Sequence, residues 1–355
     1  MKIKAIRASL RNLALRKPYT IAYQVVSAVE NVFVEIELAN GITGLGAANP
    51  DPEVVGESPE QCLQNCRSAA VERLEGREIE DFSQLIAELQ AQFPRAPGTM
   101  AALDSALHDA CARHRGLRVV DLYGQKIDAL PTSVTIGIMN TADTLAEAAA
   151  FVEQGFRVLK IKTGITAEED IERIVHLHER FGPGVRLRVD ANQGYDRAAL
   201  HTFLTATRHI PLELIEQPLP AGREAELLEF PIDIRARFAA DESLQSPASA
   251  IALAQQPQPF GIFNIKLMKC GGIAAALDIA RVAAPAGIEL FWGCNDESRI
   301  SIAAALHAAF ACSHTRYLDL DGSFDLADDP VRGGFRVEAG WMRLEGGVGL
   351  GVSST

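Results

Sequence analysis

Eight short runs of β-branched and apolar residues recur through the latter two thirds of the chain, and their spacing restricts the fold more than any other feature. They read SVTIGI, RVLKIKTG, VRLRVDAN, LELIEQP, RFAADES, GIFNIKL, IELFWG and RYLDLDG, with alanine-rich, helix-patterned sequence between them. One glycine or polar residue marks each run's end: Gly137, Lys162, Asp190, Glu216, Asp241, Lys266, Gly293 and Asp321, at intervals of 25 to 28 residues. So even an alternation of strand and helix through eight units predicts an α/β fold with a parallel, TIM-like barrel. A doubly wound open sheet is the structural rival, but it rarely repeats so regularly. After Asp321 the sequence GGFRVEAGWMRLEGGVGLG has no long helical pattern, so the eighth helix is expected to be missing, which gives a (β/α)7β barrel.

The first part of the chain has a different texture. Ile3 to Leu10 and Val32 to Leu38 read as strands, and Asn40-Gly41 between two apolar alternations is a hairpin signal. Helical patterns follow over Ser58 to Leu74, Phe82 to Phe93 and Thr99 to Arg115. The expected organisation is an α+β capping domain over 1–118, the barrel over 119–321 and a tail, 322–355, that packs back on the cap.

Charge and cysteine content narrow the function class. The 355 residues carry 34 basic and 46 acidic side chains, a net charge of −12, without a local basic patch. Such a field repels phosphate backbones and anionic lipid, which argues against nucleic-acid and membrane partners. The N-terminus has no signal-peptide pattern and no apolar run is long enough to span a bilayer, so a cytoplasmic protein is expected. Six sparse cysteines suit a reducing compartment. Cys62 and Cys66, one helical turn apart, read as packing and not as a metal pair. His307 and His314 read as structural. Cys270-Gly271-Gly272 reads as a tight turn into the next helix, although such turns cradle phosphates in some barrels.

The C-terminal strand ends of such a barrel form its active-site face. Here they hold carboxylates and lysines. Asp190, Glu216 and Asp241 end strands 3, 4 and 5, and three neighbouring carboxylates repel one another unless a cation compensates. An all-oxygen set selects Mg2+, with Mn2+ the alternative. The competing reading is that they cap the following helices, but Glu216 before Gln217-Pro218 is a poor cap. Lys160 and Lys162 are two apart on strand 2 and so share the inward face. Lys266 ends strand 6, across the barrel axis. Two amines flanking a metal floor suit abstraction of the proton α to a carboxylate, with Lys160 and the cation stabilising the enediolate. Nearby positive charge should lower the pKa of Lys162 and Lys266 toward neutrality. A base on each face then allows a proton to leave one side and return on the other.

These motifs, Lys160-Ile161-Lys162, Val189-Asp190-Ala191-Asn192, Glu216-Gln217-Pro218, Ala240-Asp241-Glu242-Ser243 and Asn264-Ile265-Lys266, resemble those of the enolase superfamily, in its muconate-lactonising-enzyme subgroup. A lysine base working beside Mg2+ on an enediolate is a known pattern of that superfamily. Within the subgroup the chain looks most like a dipeptide epimerase, because Asp319-Leu320-Asp321 matches the D-x-D pair that holds the substrate's N-terminal ammonium in those enzymes. The resemblance implies Lys162 and Lys266 as the two bases, Lys160 as the enediolate stabiliser, Asp190, Glu216 and Asp241 as metal ligands, and a small dipeptide as substrate. Thr135 is taken as a further substrate contact. A homo-oligomer is left open.

Two positions depart from the L-Ala-D/L-Glu epimerase branch. Gln24 stands where that branch has an arginine for the glutamate side chain, and Asp296 stands where relatives often have an apolar residue. With Asp51 and Glu53 in the cap, the negative charge should favour basic or neutral side chains over acidic ones. The alternatives are an L-Ala-D/L-Glu epimerase, a cycloisomerase or o-succinylbenzoate synthase on the same scaffold, and, in another class, a non-catalytic cation-stabilised binding protein.

Overall fold

The computed structural model describes residues 1–21 and 24–355, with side chains described for 1–16 and 27–355. Eight parallel strands, Val134–Ile136, Val158–Lys162, Arg186–Asp190, Leu212–Glu216, Phe238–Ala240, Ile262–Ile265, Glu289–Gly293 and Thr315–Asp319, pair in chain order. A parallel bridge between Thr132 and Leu318, with the Ser133 N–H donating to Leu318 O at 3.0 Å, brings the eighth strand beside the first. The sheet is therefore a barrel and not an open wound sheet. Leu214, Ala239, Ile262 and Phe291 fill its interior, and the buried Arg188 guanidinium lies over the Phe291 and Tyr317 rings at 5.4 and 5.2 Å.

Helices cover the barrel between its strands, broadly as the repeat predicts. After the fourth strand the single helix expected is replaced by two short helices, Glu224–Leu227 and Ile232–Arg235, because Pro231 stands between them and cannot continue a helix. Among the described residues no helix follows Arg299–Phe310; the tail instead forms the short strands Val331–Gly333, Phe335–Glu338, Trp341–Leu344 and Val352–Ser354.

The cap sheet is antiparallel, in the order Ile3–Ile21, Gln24–Leu38, Thr43–Ala48. Its first two strands run well past the expected Ile3–Leu10 and Val32–Leu38, and the sequence clue to this was the alternation Leu13-Ala14-Leu15, in which Leu13 and Leu15 are buried. The helix expected over Ser58 to Leu74 is broken into Pro59–Cys66 and Ala69–Glu72, while Phe82–Gln92 and Pro97–Arg115 lie close to their expected bounds. Cys62 and Cys66 are buried in the cap core, and all six cysteines are unpaired. No helix among the described residues is long and apolar enough to cross a membrane.

Two carboxylates of the helix Pro97–Arg115 tie distant segments together. Asp104 accepts from Ile273 N (2.7 Å) and Ala274 N (3.2 Å), capping the barrel helix Ile273–Ala286 from the cap side. The Cys270-Gly271-Gly272 turn thus feeds a helix whose first amides are already satisfied by protein, so it is a structural turn. Asp109 accepts from Leu45 N (2.7 Å) in the cap sheet and Leu350 N (2.6 Å) in the tail, and pairs with Arg113.

Candidate active site

Register aligns three of the polar strand ends. Lys162 stands opposite Asp190, and Asp190 opposite Glu216, on consecutive strands. Asp241 and Lys266 each follow the last residue of their strand. All three metal-ligand candidates and Lys160 and Lys266 are buried, while Lys162 is partly exposed. Each residue of this ring sits on a barrel strand or directly after one, so its position is set by the sheet and not by a long loop.

Lys160 is the hub. Its Nζ lies 3.0 Å from Asp190 Oδ2, 2.8 Å from Glu216 Oε2 and 2.8 Å from Asp319 Oδ2. Lys162 Nζ donates to Asp190 Oδ2 at 2.8 Å and to Asn192 Oδ1 at 2.7 Å. On the far side of the ring, Lys266 Nζ donates to Asp241 Oδ2 at 2.9 Å. The two outer lysines thus stand on the second and sixth strands with the carboxylates along the arc between them.

The electrostatics follow from this crowding. Burial pushes the Asp190 carboxyl up, but Lys160 and Lys162 outweigh it and hold it well below its ordinary range. Asp241 is likewise lowered, burial being overcome by Lys266 and Lys269. Glu216 goes the other way, pushed up to about 8 by burial and by the neighbouring Asp190 charge. The expectation that Lys266 would be depressed is not met by the protein groups alone. Burial does pull its pKa down, but Asp241 and Glu216 override that and keep the ammonium charged. The nearest neighbours of the lysine are carboxylates, whose field exceeds that of Lys160.

The carboxylates suit a hard divalent cation. They offer an all-oxygen donor set on three adjacent strands, and buried Glu216 Oε2 makes an ion contact with Lys160 but has no hydrogen-bond partner. Among the described residues, no three acidic, histidine or cysteine groups are gathered as a ready-made metal cage. The reason is visible in the contacts: Lys160 sits between Asp190 and Glu216, and Asp241 is turned to Lys266 and Lys269.

The chain matches two family descriptions that together span most of its length: the mandelate racemase / muconate lactonizing enzyme N-terminal domain over residues 4–124, and the enolase C-terminal domain-like family over residues 143–355. The chain belongs to the mandelate racemase / muconate lactonizing enzyme family of the enolase superfamily. An L-Lys-D/L-Arg epimerase of Desulforapulum autotrophicum is 52% identical over 99% of both chains. The crystal structure of a dipeptide epimerase from Methylococcus capsulatus, complexed with Mg and the dipeptide L-Arg-D-Lys, superposes with a TM-score of 0.96 at 50% identity over 99% of both chains. The L-Ala-D/L-Glu epimerase of Bacillus subtilis is more distant, at 30% identity over 99% of this chain and 97% of its own.

The specificity candidates include Asp319, which shares Lys160 with the metal arc. Asp319 Oδ1 accepts from Ser133 Oγ at 2.6 Å, and Asp319 is lowered because Lys160, aided by Ser133 and Arg188, overcomes burial. Asp321 accepts from the Thr135 N–H at 2.8 Å and is pushed up to about 8 by burial and by Asp319. Thr135 therefore meets the pair through its backbone. The Asp296 carbonyl receives Asn31 Nδ2 at 3.4 Å, which docks its loop on the cap. Gln24 lies outside the residues whose side chains are described. Asp51 caps the short helix Pro52–Val55.

Sequence reasoning missed Lys269 and gave Asn264 no role beyond its motif, although both hold the ring in place. Buried Lys269 donates to Asp241 and to Asn264 O, and Asn264 Nδ2 donates to Glu216 Oε1 at 2.7 Å. The signal for Lys269 was present: Lys266 and Lys269 are three apart, one turn of the short helix Leu267–Cys270. Buried Glu297, pushed up to about 7 by burial, accepts from Asn295 N and lies near Lys266.

Proposed function

We propose that this protein is an isomerase that epimerises a dipeptide at the α-carbon of its C-terminal residue, with cationic side chains preferred. The observation that carries the reading is the pair of lysines, Lys162 and Lys266, on opposed strands around an arc of buried carboxylates. The names of the relatives support the substrate class, and the acidic character of Asp296, Asp51 and Glu53 gives it a physical basis.

Mg2+ held by Asp190, Glu216 and Asp241 would supply positive charge beside the substrate's carboxylate, making its α-proton more acidic. In this reading Lys160 stays an ammonium and donates to that carboxylate. One of Lys162 and Lys266 begins as an amine and takes the α-proton, becoming an ammonium. The other begins as an ammonium and delivers a proton to the opposite face of the planar substrate anion, becoming an amine. Asp319 and Asp321, at and just after the end of the eighth strand, hold the substrate's N-terminal ammonium. We place the protein in the cytoplasm, a reading supported by its six unpaired cysteines.

The test is incubation in D2O with Mg2+ and a set of dipeptides that includes Lys-Arg, Ala-Glu and Leu-Tyr. Mass spectrometry should find one deuteron at the C-terminal α-carbon, fastest for Lys-Arg. No uptake with any dipeptide would sink the epimerase reading in favour of the binding-protein alternative, and fastest uptake with Ala-Glu would sink the charge argument.

A further inference from the structure

The lysine on the second strand has a support of its own, built from residues outside the ring. Asp170, fully buried in the helix Ala167–Phe181, accepts from Gly164 N at 2.8 Å and from Tyr195 OH at 2.7 Å through the same oxygen. Its other oxygen pairs with buried Arg173. Arg173 in turn donates to Lys162 O at 3.3 Å. The turn Lys162-Thr163-Gly164 is therefore gripped at its first carbonyl and its last amide, while Thr163 N donates to Asp190 O at 2.8 Å in its middle.

The loop after the third strand is joined to the same carboxylate. Tyr195 is buried, and its hydroxyl ends on Asp170. A Cβ on Gly194 would lie 2.2 Å from Gly164 O, and one on Gly164 would lie 2.2 Å from Ala191 O, so the two loops meet backbone to backbone. Asn192, on that second loop, is the residue that receives Lys162 Nζ. Lys162 Nζ is aimed by Asp190, by its own backbone turn and by Asn192, and the last two trace back to Asp170.

We propose that Asp170, acting with Arg173 and Tyr195, is a positioning residue for Lys162 and has no part in positioning Lys266. This rests on the two-base reading above. A buried ion pair is a poor source of net stability, since desolvation offsets the attraction; what this one provides is a fixed anchor for two loops. Lys266 is held by other elements, through Asp241, which Lys269 grips from its other oxygen. Misplacing one base by about an ångström can slow its proton transfer by about a hundredfold while the opposite base keeps its geometry.

The test uses the full-length enzyme with Mg2+ and each epimer of a cationic dipeptide in D2O, following return of label to the starting epimer. Each lysine exchanges the α-proton of one epimer only, so Lys162→Ala assigns which epimer Lys162 serves. Asp170→Asn should slow exchange of that same epimer by about ten- to a hundredfold and leave the other within about twofold. Tyr195→Phe, which removes one hydroxyl, should show the same one-sided effect at a few-fold and serves if Asp170→Asn does not fold. Equal slowing of both epimers, or of neither, in the variant that folds would overturn the proposal. Absence of exchange in the unmodified enzyme would instead overturn the epimerase reading beneath it.

Discussion

His307 shows how a single side chain sets an acid limit. It lies in the helix Arg299–Phe310, and its Nδ1 accepts from Val120 N at 3.0 Å. Burial holds it neutral and pushes its pKa down to about 4. The unfolded chain takes up a proton near the ordinary histidine value, so between about 6.5 and 4 the unfolded state binds more protons than the folded one. Stability from this site is present above that window and is lost as pH falls through it, by about 3 kcal/mol in all. Thermal unfolding of His307→Gln and the unmodified protein at pH 7 and pH 4.5 should show a smaller drop for the variant. An equal drop would place the acid sensitivity elsewhere. Lys269 makes a second prediction at this scale. With Lys269→Met, Asp241 keeps Lys266 but loses its other ammonium, so the protein should be destabilised by about 3 kcal/mol. Mg2+ should then restore part of the lost melting temperature, which titration by thermal shift would measure.

Between elements, the closest approaches are made by backbone. The strand Thr43–Ala48 lies flat on the helix Pro97–Arg115, and a Cβ on Gly46 would come within 2.0 Å of Ala102 O and 2.7 Å of Ala106 N. No side-chain rotation relieves a clash between backbones. Gly46→Ala should therefore push the cap sheet off its helix and cost about 3 kcal/mol, read as a lowered unfolding midpoint. A midpoint unchanged from the parent would mean the strand can slide. Asp104 makes the complementary case for attraction. It caps a barrel helix from a cap helix, so Asp104→Ala should cost about 2 kcal/mol through loss of the cap alone. Neither contact was visible beforehand, because Asp104 and Ile273 are far apart in sequence and a glycine that marks a close approach looks like any other glycine. The strand ends were visible because the period that creates the barrel also positions its chemistry. Lys162, Asp190 and Glu216 stand opposite one another for that reason, with Lys160 two residues earlier on its strand and Asp241 and Lys266 just past theirs, whereas Asp170 and Tyr195 act across turns that no single-chain pattern records.

For the molecule as a whole, the net charge of −12 bears on how substrate arrives. Acidic residues stand in both parts of the chain, Asp51 and Glu53 in the cap and Asp296 in a barrel loop that docks on the cap. A dipeptide such as Lys-Arg carries a net positive charge at neutral pH, and a negative field raises its local concentration. A neutral dipeptide such as Leu-Tyr gains nothing from the same field. Salt screens interactions beyond about 8 Å at physiological ionic strength and beyond about 3 Å at 1 M. Raising NaCl from about 20 mM to about 500 mM should thus increase KM for Lys-Arg several-fold, leave its kcat nearly constant and leave KM for Leu-Tyr unchanged. The kcat is largely insulated because Lys160, Lys266 and the three carboxylates are buried and shielded from mobile ions, and the partly exposed Lys162 is fixed by direct contacts to Asp190 and Asn192. If KM for the two dipeptides rose in parallel, the selectivity for cations would have to come from direct contacts within the pocket, and the long-range field would play no part.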